Sequence, residues 1–384
     1  MQDDVLSRAR VISDLASAQA DEADKNANVS AELIAEMKKA GIFKLCIPST
    51  LGGDEVHPME SLDVIDIIAQ GDGSTAWVTM VCATTALVSA YLNEEWSEKI
   101  YGQDGVITCG VTAPSGRARL VDGGIEVSGR WQWGSGTSHA DWILGGSLLV
   151  DEDGQPVKDG EGRIHHLLPF FKKDQIQILD TWDVHGMSGS GSNDFMVEDV
   201  FVPEGRWIRF GADRPRLPGL YQFPLLGMLG LGVASISLGV ARRAIDELID
   251  LAAGKIPVAS ATTLGNRAYV QSAVAEAEAA LRSAKALMRE AVADAWEPAR
   301  DGQPISKKHR AILRLATTNA SRQATRAVDL MYNAAGGTPV YNRSPLARLF
   351  RDAHVATQHI MVGPPTYELV GRVLMGMDTD TSTL

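Results

Sequence analysis

The chain has 384 residues, with 36 Lys and Arg against 48 Asp and Glu, so its formal net charge at pH 7 is −12. Proteins that bind nucleic acid usually present a basic face. This sequence has no basic run, so nucleic acid is not expected as a partner. The hydrophobic content of 45% is ordinary for a globular protein, and the length suggests two or three domains.

The cysteines and the apolar stretches indicate the cellular compartment of the protein. Cys46, Cys82 and Cys109 are odd in number and fit no metal motif, so we expect buried thiols in a reducing compartment and no metal site. The first ten residues are charged and contain no apolar signal core. The longest apolar stretch, residues 223–241, is rich in Gly and Ser, which favours a packed internal helix over a membrane span. We therefore predict a cytoplasmic protein with no membrane partner.

Residues 1–105 are predicted to form an N-terminal helical domain. VSAELIAEMKKAGIFKLCIP has a cap at Ser30, apolar residues at helical spacing and a stop at Gly41. SLDVIDIIAQGDGSTAWVTMVCATTALVSAYL has a wide apolar stripe interrupted by GDGS. This pattern indicates two core helices that are separated at residues 71–74.

The hydrophobic period changes to that of strands over residues 106–210. Short β-branched and aromatic runs such as GIEVSGRWQW and DFMVEDVFVP are separated by Gly, Asp and Asn, which predicts a β domain of six to eight strands. The helical period returns in residues 211–384, where long Ala-rich segments favour close packing in a bundle. One of these segments ends at Gly336-Gly337, a typical helix stop.

Three stretches in this order of elements carry a family resemblance: SGRWQWGSGTSHADW (128–142), DTWDVHGMSGSGSNDFMVEDVFVPEGR (180–206) and AGGTPVYNRSPLARLFRDAHVATQH (335–359). The chain resembles the acyl-CoA dehydrogenase superfamily, and within it the two-component flavin-dependent monooxygenases. The resemblance implies an α+β fold with an N-terminal helical domain, a central β-barrel-like domain and a C-terminal four-helix bundle. It also implies a homotetramer, because the family buries the bundle between subunits.

The first stretch contains residues that the resemblance assigns to the flavin ring. In the superfamily an aromatic residue and, two places later, a Ser or Thr lie against the flavin. Here those positions are Trp133 and Ser135, followed by Gly136. A hydroxyl can exchange a hydrogen bond with the N5/C4a edge of a flavin, so Ser135 is also expected to be catalytic. The alternative is a plain turn with a solvent-facing serine, since GSGTS is rich in turn residues.

The other two stretches imply further contacts with the cofactor. Ser190 and Ser192 lie in a Gly-rich turn whose backbone N–H groups suit a flavin and its phosphates. The third stretch contains an L-x-R-x-x-R-D motif that includes Arg351, and His359 follows eight residues later. By resemblance Arg351 contacts the cofactor and His359 faces the flavin C4a position. On one continuous helix of 100° per residue, His354 projects away from His359 and has a structural role.

The same stretch implies hydroxylation rather than dehydrogenation. Many dehydrogenases of the superfamily place a glutamate base before a glycine here, whereas Val362 precedes Gly363 in this chain. The resemblance implies that a separate flavin reductase supplies FADH2 or FMNH2, which reacts with O2 through a C4a-hydroperoxyflavin. A histidine with a pKa near neutrality suits this chemistry, so His359 is the expected catalytic residue. A flavin dehydrogenase or oxidase and a non-catalytic ligand-binding scaffold are the alternatives.

The substrate is expected to be a small aromatic or heteroaromatic molecule. Related hydroxylases often carry histidines where this chain has Thr84 and Thr85, and their absence favours an indole-like substrate over a phenol. These threonines instead could bond to their own helix backbone. His57 and His139 are further candidate substrate contacts, with an exposed loop position as the alternative for His139.

Overall fold

The computed structural model describes residues 4–384 and begins with helices. The N-terminal part contains five of them: α1 (Val5–Asn26), α2 (Ala31–Lys39), α3 (Pro58–Gly71), α4 (Gly73–Ala86) and α5 (Glu94–Tyr101). The Ser30 side chain accepts a hydrogen bond from the Leu33 N–H and caps α2. Asp72 adopts an extended conformation between α3 and α4 and caps α4 through the Thr75 N–H. The predicted cap and the predicted break at GDGS are therefore both confirmed.

The middle of the chain forms one sheet of seven strands: β1 (Thr108–Val121), β2 (Gly124–Trp131), β3 (Trp142–Leu149), β4 (His166–Lys172), β5 (Gln177–Leu179), β6 (Asp194–Pro203) and β7 (Trp207–Arg209). Their order is β5-β6-β2-β1-β3-β4-β7. Only β1 and β3 pair in parallel. The sheet is open, so the barrel-like description is wrong in this respect. The two edge strands, β5 and β7, have three residues each and do not pair with one another.

Trp131 occupies the centre of this sheet. Its ring is fully buried and stacks on Phe195 with 5.0 Å between ring centroids, and its Nε1–H donates to the Gly146 carbonyl at 2.6 Å. A Cβ atom added at Gly116 or Gly129 would lie 2.4 or 2.8 Å from the indole. The glycines therefore make room for one large side chain, which holds the end of β2 in place.

The C-terminal part is helical again, with three long and two short helices: α6 (Leu225–Gly254), α7 (Ala268–Arg300), α8 (Lys307–Ala334), α9 (Pro345–Ala356) and α10 (Pro365–Leu374). Glycines allow α6 to approach the N-terminal helices closely. A Cβ atom at Gly232 would lie 2.4 Å from Cγ of Met80, and one at Gly239 would lie 2.3 Å from the Asp66 carbonyl oxygen. Helix α6 thus joins the two helical parts of the chain.

Two segments are long and apolar enough to cross a membrane by length and composition alone, Gly73–Ala90 and Leu225–Gly254. Their most apolar windows are 89% and 78% buried inside the fold. Both therefore pack as core helices, as expected for residues 223–241.

Helix α9 forms ion pairs and a hydrogen bond with two parts of the chain that are distant in sequence. Arg348 and Arg351 form ion pairs with Asp21 and Asp24 of α1, the second at 2.8 Å. Asp352, the next residue, accepts a hydrogen bond from the Met187 N–H at 2.6 Å. The start of the chain, the Gly-Ser turn that follows Met187 and the segment after α9 are therefore held together.

Candidate active site

The turn after β2 presents one exposed and one buried candidate side chain. Trp133 has a φ of 64°, in the left-handed region, and its side chain is 67% exposed. The Gly134 N–H donates to the Asn193 carbonyl at 3.0 Å, which ties this turn to the chain before β6. Ser135 is only 4% exposed, so the alternative of a solvent-facing serine does not hold. The turn presents an indole outward and a hydroxyl inward.

The buried hydroxyl belongs to a chain of three serines. Ser135 Oγ lies 2.6 Å from Ser192 Oγ, which lies 2.7 Å from Ser190 Oγ. The Trp77 Nε1–H of α4 donates to Ser135 Oγ at 3.1 Å. The structure thus brings together predicted residues from two loops and adds Trp77 of α4.

The direction of the hydrogen bonds in this serine chain follows from counting protons. Ser190 Oγ donates to the Met187 carbonyl at 2.7 Å, and a hydroxyl has only one proton to give. Ser192 therefore donates to Ser190, and Ser135 donates to Ser192. Ser135 accepts from Trp77 and keeps one free lone pair, so it can accept a further N–H but has no proton left to donate.

His359 contacts Trp77, the donor to this serine chain, but it does not lie on helix α9. The helix ends at Ala356, and His359 begins a short 3-10 helix, Ile360–Val362. The continuous helix assumed for His354 and His359 is therefore wrong. Thr357 Oγ1 donates back to the His354 carbonyl at 2.6 Å at the point where the helix ends.

The two histidines nevertheless differ as expected. The His359 ring meets the Trp77 ring edge-on, with 5.8 Å between centroids. His354 Nε2 instead lies 2.9 Å from Asp329 Oδ1 on a half-exposed surface. His359 Nδ1 accepts from the Met361 N–H at 3.3 Å, so the ring proton of the neutral form sits on Nε2.

Burial, together with a smaller effect of the Arg314 guanidinium, lowers the pKa of His359 to about 4. The expected pKa near neutrality is therefore not found. At neutral pH this histidine is an uncharged N–H donor rather than a source of a cationic proton.

Arg314 was missed from the sequence. It lies on α8, is 4% exposed, and its Nη1 donates to Met361 Sδ at 3.1 Å. Burial lowers its pKa to about 10. Its place three, four and seven residues before Thr317, Thr318 and Ser321, all buried, is the helical pattern that could have identified it as an inward-facing cation.

Two other residues that were predicted to contact the flavin, Arg351 and Gly136, instead make contacts within the protein. Arg351 pairs with Asp24, and a Cβ atom at Gly186 would lie 2.7 Å from the Arg351 carbonyl oxygen. Gly136 has a φ of 78°, and a Cβ atom there would lie 3.6 Å from Cys82 Sγ of α4. Both residues therefore position the loops, and a direct cofactor contact stays a prediction.

The four predicted substrate contacts lie outside the serine chain. The Thr84 and Thr85 hydroxyls donate to the Met80 and Val81 carbonyls of their own helix, as the alternative interpretation predicted. These contacts satisfy the two hydroxyl donors locally.

The two histidines of this predicted set also have protein partners. His57 caps α3 and packs edge-on against Trp296, with 4.7 Å between centroids. His139 Nε2 lies 3.0 Å from Asn28 Oδ1, and burial lowers its pKa to about 4. Across residues 4–384, no group of three or more His, Cys, Asp or Glu side chains is placed to hold a metal ion.

Asp352 allows a pH prediction for the Gly-Ser turn. Burial raises its pKa from 3.8 to about 7 despite the bond from the Met187 N–H. A carboxyl whose native pKa is raised binds more protons in the folded state, so the contribution of Asp352 to stability is fully present below pH 4 and is lost as pH rises towards 7. Asp352→Asn keeps an acceptor for Met187 and should reduce this fall by up to about 4 kcal/mol.

The measurement for this prediction is urea unfolding of both proteins at intervals between pH 4.5 and 8. Burial also raises the pKa values of Asp66 and Asp72, so part of the slope should remain in the variant. If the free energy of unfolding falls with pH as steeply in Asp352→Asn as in the wild type, the raised pKa of Asp352 is not the cause of the fall.

Comparison with known proteins gives the family. Models of the acyl-CoA dehydrogenase N-terminal and C-terminal domains match residues 5–101 and 231–364. The indole-3-acetate monooxygenase of Pseudomonas putida is 35% identical, over 92% of this chain and 89% of that protein. The flavin-dependent monooxygenase oxygenase subunit HsaA of Rhodococcus jostii is 29% identical, over 90% of this chain and 91% of that protein.

Solved structures agree with this assignment. The crystal structure of 3-HSA hydroxylase from Rhodococcus sp. RHA1 matches with a TM-score of 0.92 and 26% identity, covering 100% of this chain and 99% of that one. The acyl-CoA dehydrogenase-like architecture, with helical domains on either side of a sheet, is thereby confirmed. The chain belongs to the acyl-CoA dehydrogenase superfamily and, within it, to the oxygenase components of two-component flavin-dependent monooxygenases.

Proposed function

We propose that this protein hydroxylates a small aromatic or heteroaromatic substrate with O2, using FADH2 or FMNH2 supplied by a separate flavin reductase. The observation that carries the proposal is the convergence of Ser135, Ser192, Trp77 and His359 from four segments of the chain. Reduced flavin, when bound, supplies the electrons that activate O2 and transfers one oxygen atom. The residues around it have to hold the ring, exclude water and place one hydrogen-bond donor.

The turn after β2 fits the edge and face of a flavin. Trp133 offers an exposed indole surface on a strained backbone, which persists where the surroundings determine it and is common at ligand sites. Ser135, two residues later, offers a buried acceptor. Because its own proton is committed to Ser192, Ser135 suits a partner that carries an N–H. Reduced flavin has one at N5, and oxidised flavin does not.

His359 is proposed to stabilise the reacting oxygen. Its neutral Nε2–H can donate a hydrogen bond, and a donor already in place needs no reorganisation during reaction. The Trp77 ring packs against the imidazole and Met361 follows it closely. These apolar groups shield the donor from water, which strengthens its bond.

The substrate proposal follows the named relatives. The Pseudomonas putida relative and a second one from Acinetobacter baumannii, 30% identical, are indole-3-acetate monooxygenases. We therefore favour an indole-like substrate. Contacts from Thr84, Thr85, His57 and His139 to that substrate remain predictions, since their side chains also have partners within the protein.

We also propose a cytoplasmic homotetramer that binds no membrane. Large apolar side chains are exposed near the start of α7 and the loop before α9: Val258, Tyr269 and Tyr341. Such groups are typical of contact surfaces between subunits. Light scattering at micromolar concentration should give four times the monomer mass of 41.2 kDa.

Reconstitution tests the function as a whole. Purified protein, a flavin reductase, NADH, flavin and O2 should convert an indole-type substrate to a hydroxylated product, and omission of any one component should abolish it. Reduction of an artificial electron acceptor by an acyl-CoA, with no hydroxylation, would instead favour a dehydrogenase.

The serine chain makes a prediction about flavin affinity. One hydrogen bond from the reduced ring to Ser135 should make FMNH2 bind about tenfold more tightly than FMN. Ser135→Ala removes the acceptor and should bring the two dissociation constants close together. Anaerobic titration followed by flavin fluorescence and absorbance gives both constants.

Ser138→Ala provides the matched control, because it alters a hydroxyl in the same loop that is outside the serine chain. It should leave the preference for FMNH2 unchanged. A wild-type protein that binds both redox forms equally would contradict the role assigned to Ser135.

A further inference from the structure

Arg314 is a buried cation, and no carboxylate of residues 4–384 forms an ion pair with it. Its polar contacts are Met361 Sδ at 3.1 Å and Thr366 Oγ1 at 3.4 Å. A thioether is a weak acceptor, and the second contact is long. Its Nε–H has no hydrogen-bond partner anywhere in the described part of the chain, residues 4–384. The guanidinium is therefore poorly satisfied for a group that is 4% exposed.

Arg206 is equally buried, and its Nε–H also lacks a partner among residues 4–384, but the rest of its guanidinium is better satisfied. Its Nη2 donates to the Phe201 carbonyl at 3.0 Å, and its guanidinium lies over the rings of Trp96 and Trp142. Among residues 4–384, no backbone carbonyl accepts a hydrogen bond from Arg314 and no aromatic ring lies under its guanidinium. A charge buried in this way is costly unless a partner pairs with it.

The guanidinium lies next to the proposed reaction site. Met361, which it contacts, donates its backbone N–H to His359, and the positive charge contributes to the lowered pKa of that histidine. The Thr318 hydroxyl, one turn further along α8, is also buried without a partner among residues 4–384. Two unsatisfied polar groups thus share one face of α8, and one of them, Arg314, adjoins the segment that carries His359.

Helix α6 packs closely against the same edge of the guanidinium. A Cβ atom at Gly230 would lie 3.4 Å from Arg314 Nη1 and 3.0 Å from Thr317 Cγ2. Glycine at this position therefore keeps a side chain away from the arginine, as expected where backbone or ligand approaches closely.

We propose that Arg314 binds the carboxylate of an aromatic acid substrate, an inference that rests on the proposed hydroxylase function. A planar guanidinium matches a carboxylate with two parallel N–H···O bonds. The anion supplies the missing partner of the buried charge, and it orients the aromatic ring of the same molecule with respect to His359. The substrate class is therefore an aromatic ring that bears a short acidic side chain.

The test compares indole-3-acetate with indole-3-acetamide, which has nearly the same shape and no charge. Calorimetric titrations are run anaerobically with reduced FMN bound. The wild-type protein should bind the acid more tightly than the amide. Arg314→Met should weaken binding of the acid by about 30- to 1000-fold and leave the amide within a few-fold. Arg314→Lys keeps the positive charge but cannot form the two parallel N–H···O bonds, so its loss of affinity for the acid should be intermediate.

Arg322→Met is the matched control, because Arg322 is exposed on the same helix. It should leave both affinities unchanged. Thermal unfolding shows whether Arg314→Met still folds. If Arg314→Met does not fold, the affinities of Arg314→Lys for the acid and the amide test the role of Arg314.

Equal binding of acid and amide by the wild type, or equal losses for both ligands in Arg314→Met, would overturn the role of Arg314 while hydroxylation persists. A wild-type protein that hydroxylates neither compound would overturn the proposed function. The titrations would still decide the carboxylate site.

Discussion

His359→Ala should bind reduced flavin and consume O2, but it should convert little substrate. Removal of one well-placed hydrogen-bond donor typically lowers a rate by about 10²–10³-fold. The oxygen that is no longer transferred should appear as hydrogen peroxide. The measurement is product and peroxide formed per NADH oxidised, with the same reductase in every reaction. His359→Gln retains an N–H donor and should recover part of the coupling.

The pH dependence of coupling shows whether His359 acts as a neutral hydrogen-bond donor or as an acid. Burial, and to a lesser extent Arg314, lowers the pKa of His359 to about 4. Between pH 6 and 8 the ring stays neutral, so we expect no loss of coupling with a midpoint near 6.5 that depends on His359. Such a midpoint, present in the wild type and absent in His359→Gln, would show that the imidazolium is the working form.

His354→Ala is the control for the same experiment. Its side chain pairs with Asp329 at 2.9 Å on a half-exposed surface, and exposed pairs contribute little stability, about 0–1 kcal/mol. This variant should remain coupled. Loss of coupling in His354→Ala together with its retention in His359→Ala would refute the assignment.

Trp131→Ala should strongly destabilise the folded protein. The indole is fully buried, stacks on Phe195 and fills space that three glycines leave open, at positions 116, 129 and 145. Truncation of a buried Trp typically costs about 3–5 kcal/mol, and the freed Gly146 carbonyl adds an unsatisfied group. Urea unfolding at pH 7, with the change in free energy taken from the transition midpoint, measures the effect.

Trp133→Ala gives the contrast two residues away. Its side chain is 67% exposed and packs little against the sheet, so the free energy of unfolding should change by less than about 0.5 kcal/mol. Flavin affinity should fall instead. If Trp133→Ala destabilises the protein as much as Trp131→Ala does, the indole at position 133 is a core residue and not a cofactor wall.

Local signals in the sequence were enough for the helices. The Ser30 cap, the GDGS break and the Ala-rich period each depend on neighbouring residues, and each appears where it was predicted. The contacts that make up the site are different in kind. Trp77 meets Ser135 across 58 positions, and Met187 meets Asp352 across 165, so no local pattern contains them.

Two errors have specific physical causes. The helix that carries His354 ends at Ala356, where Thr357 Oγ1 bonds back to the His354 carbonyl. Threonines inside helices make the same kind of bond, as Thr79 does in α4, so Thr357 gives no clear stop signal in the sequence. The sheet is open and its edge strands have three residues each, and a strand of three residues is too short to show a hydrophobic alternation in the sequence. Arg314 was detectable, since it lies in phase with buried small residues on α8.

The ion pairs between α1 and α9 have a consequence for how the protein is made. Asp21 and Asp24 are separated from their arginines by 327 residues. At about 5–20 residues per second, a ribosome needs roughly 15–65 s to make the intervening chain. During that time α1 can pack on α3, which is synthesised soon after it, but its acidic end stays in solvent. Because His359 is translated later still, the proposed site is complete only after nearly the whole chain has been made, and we therefore expect flavin to bind after synthesis.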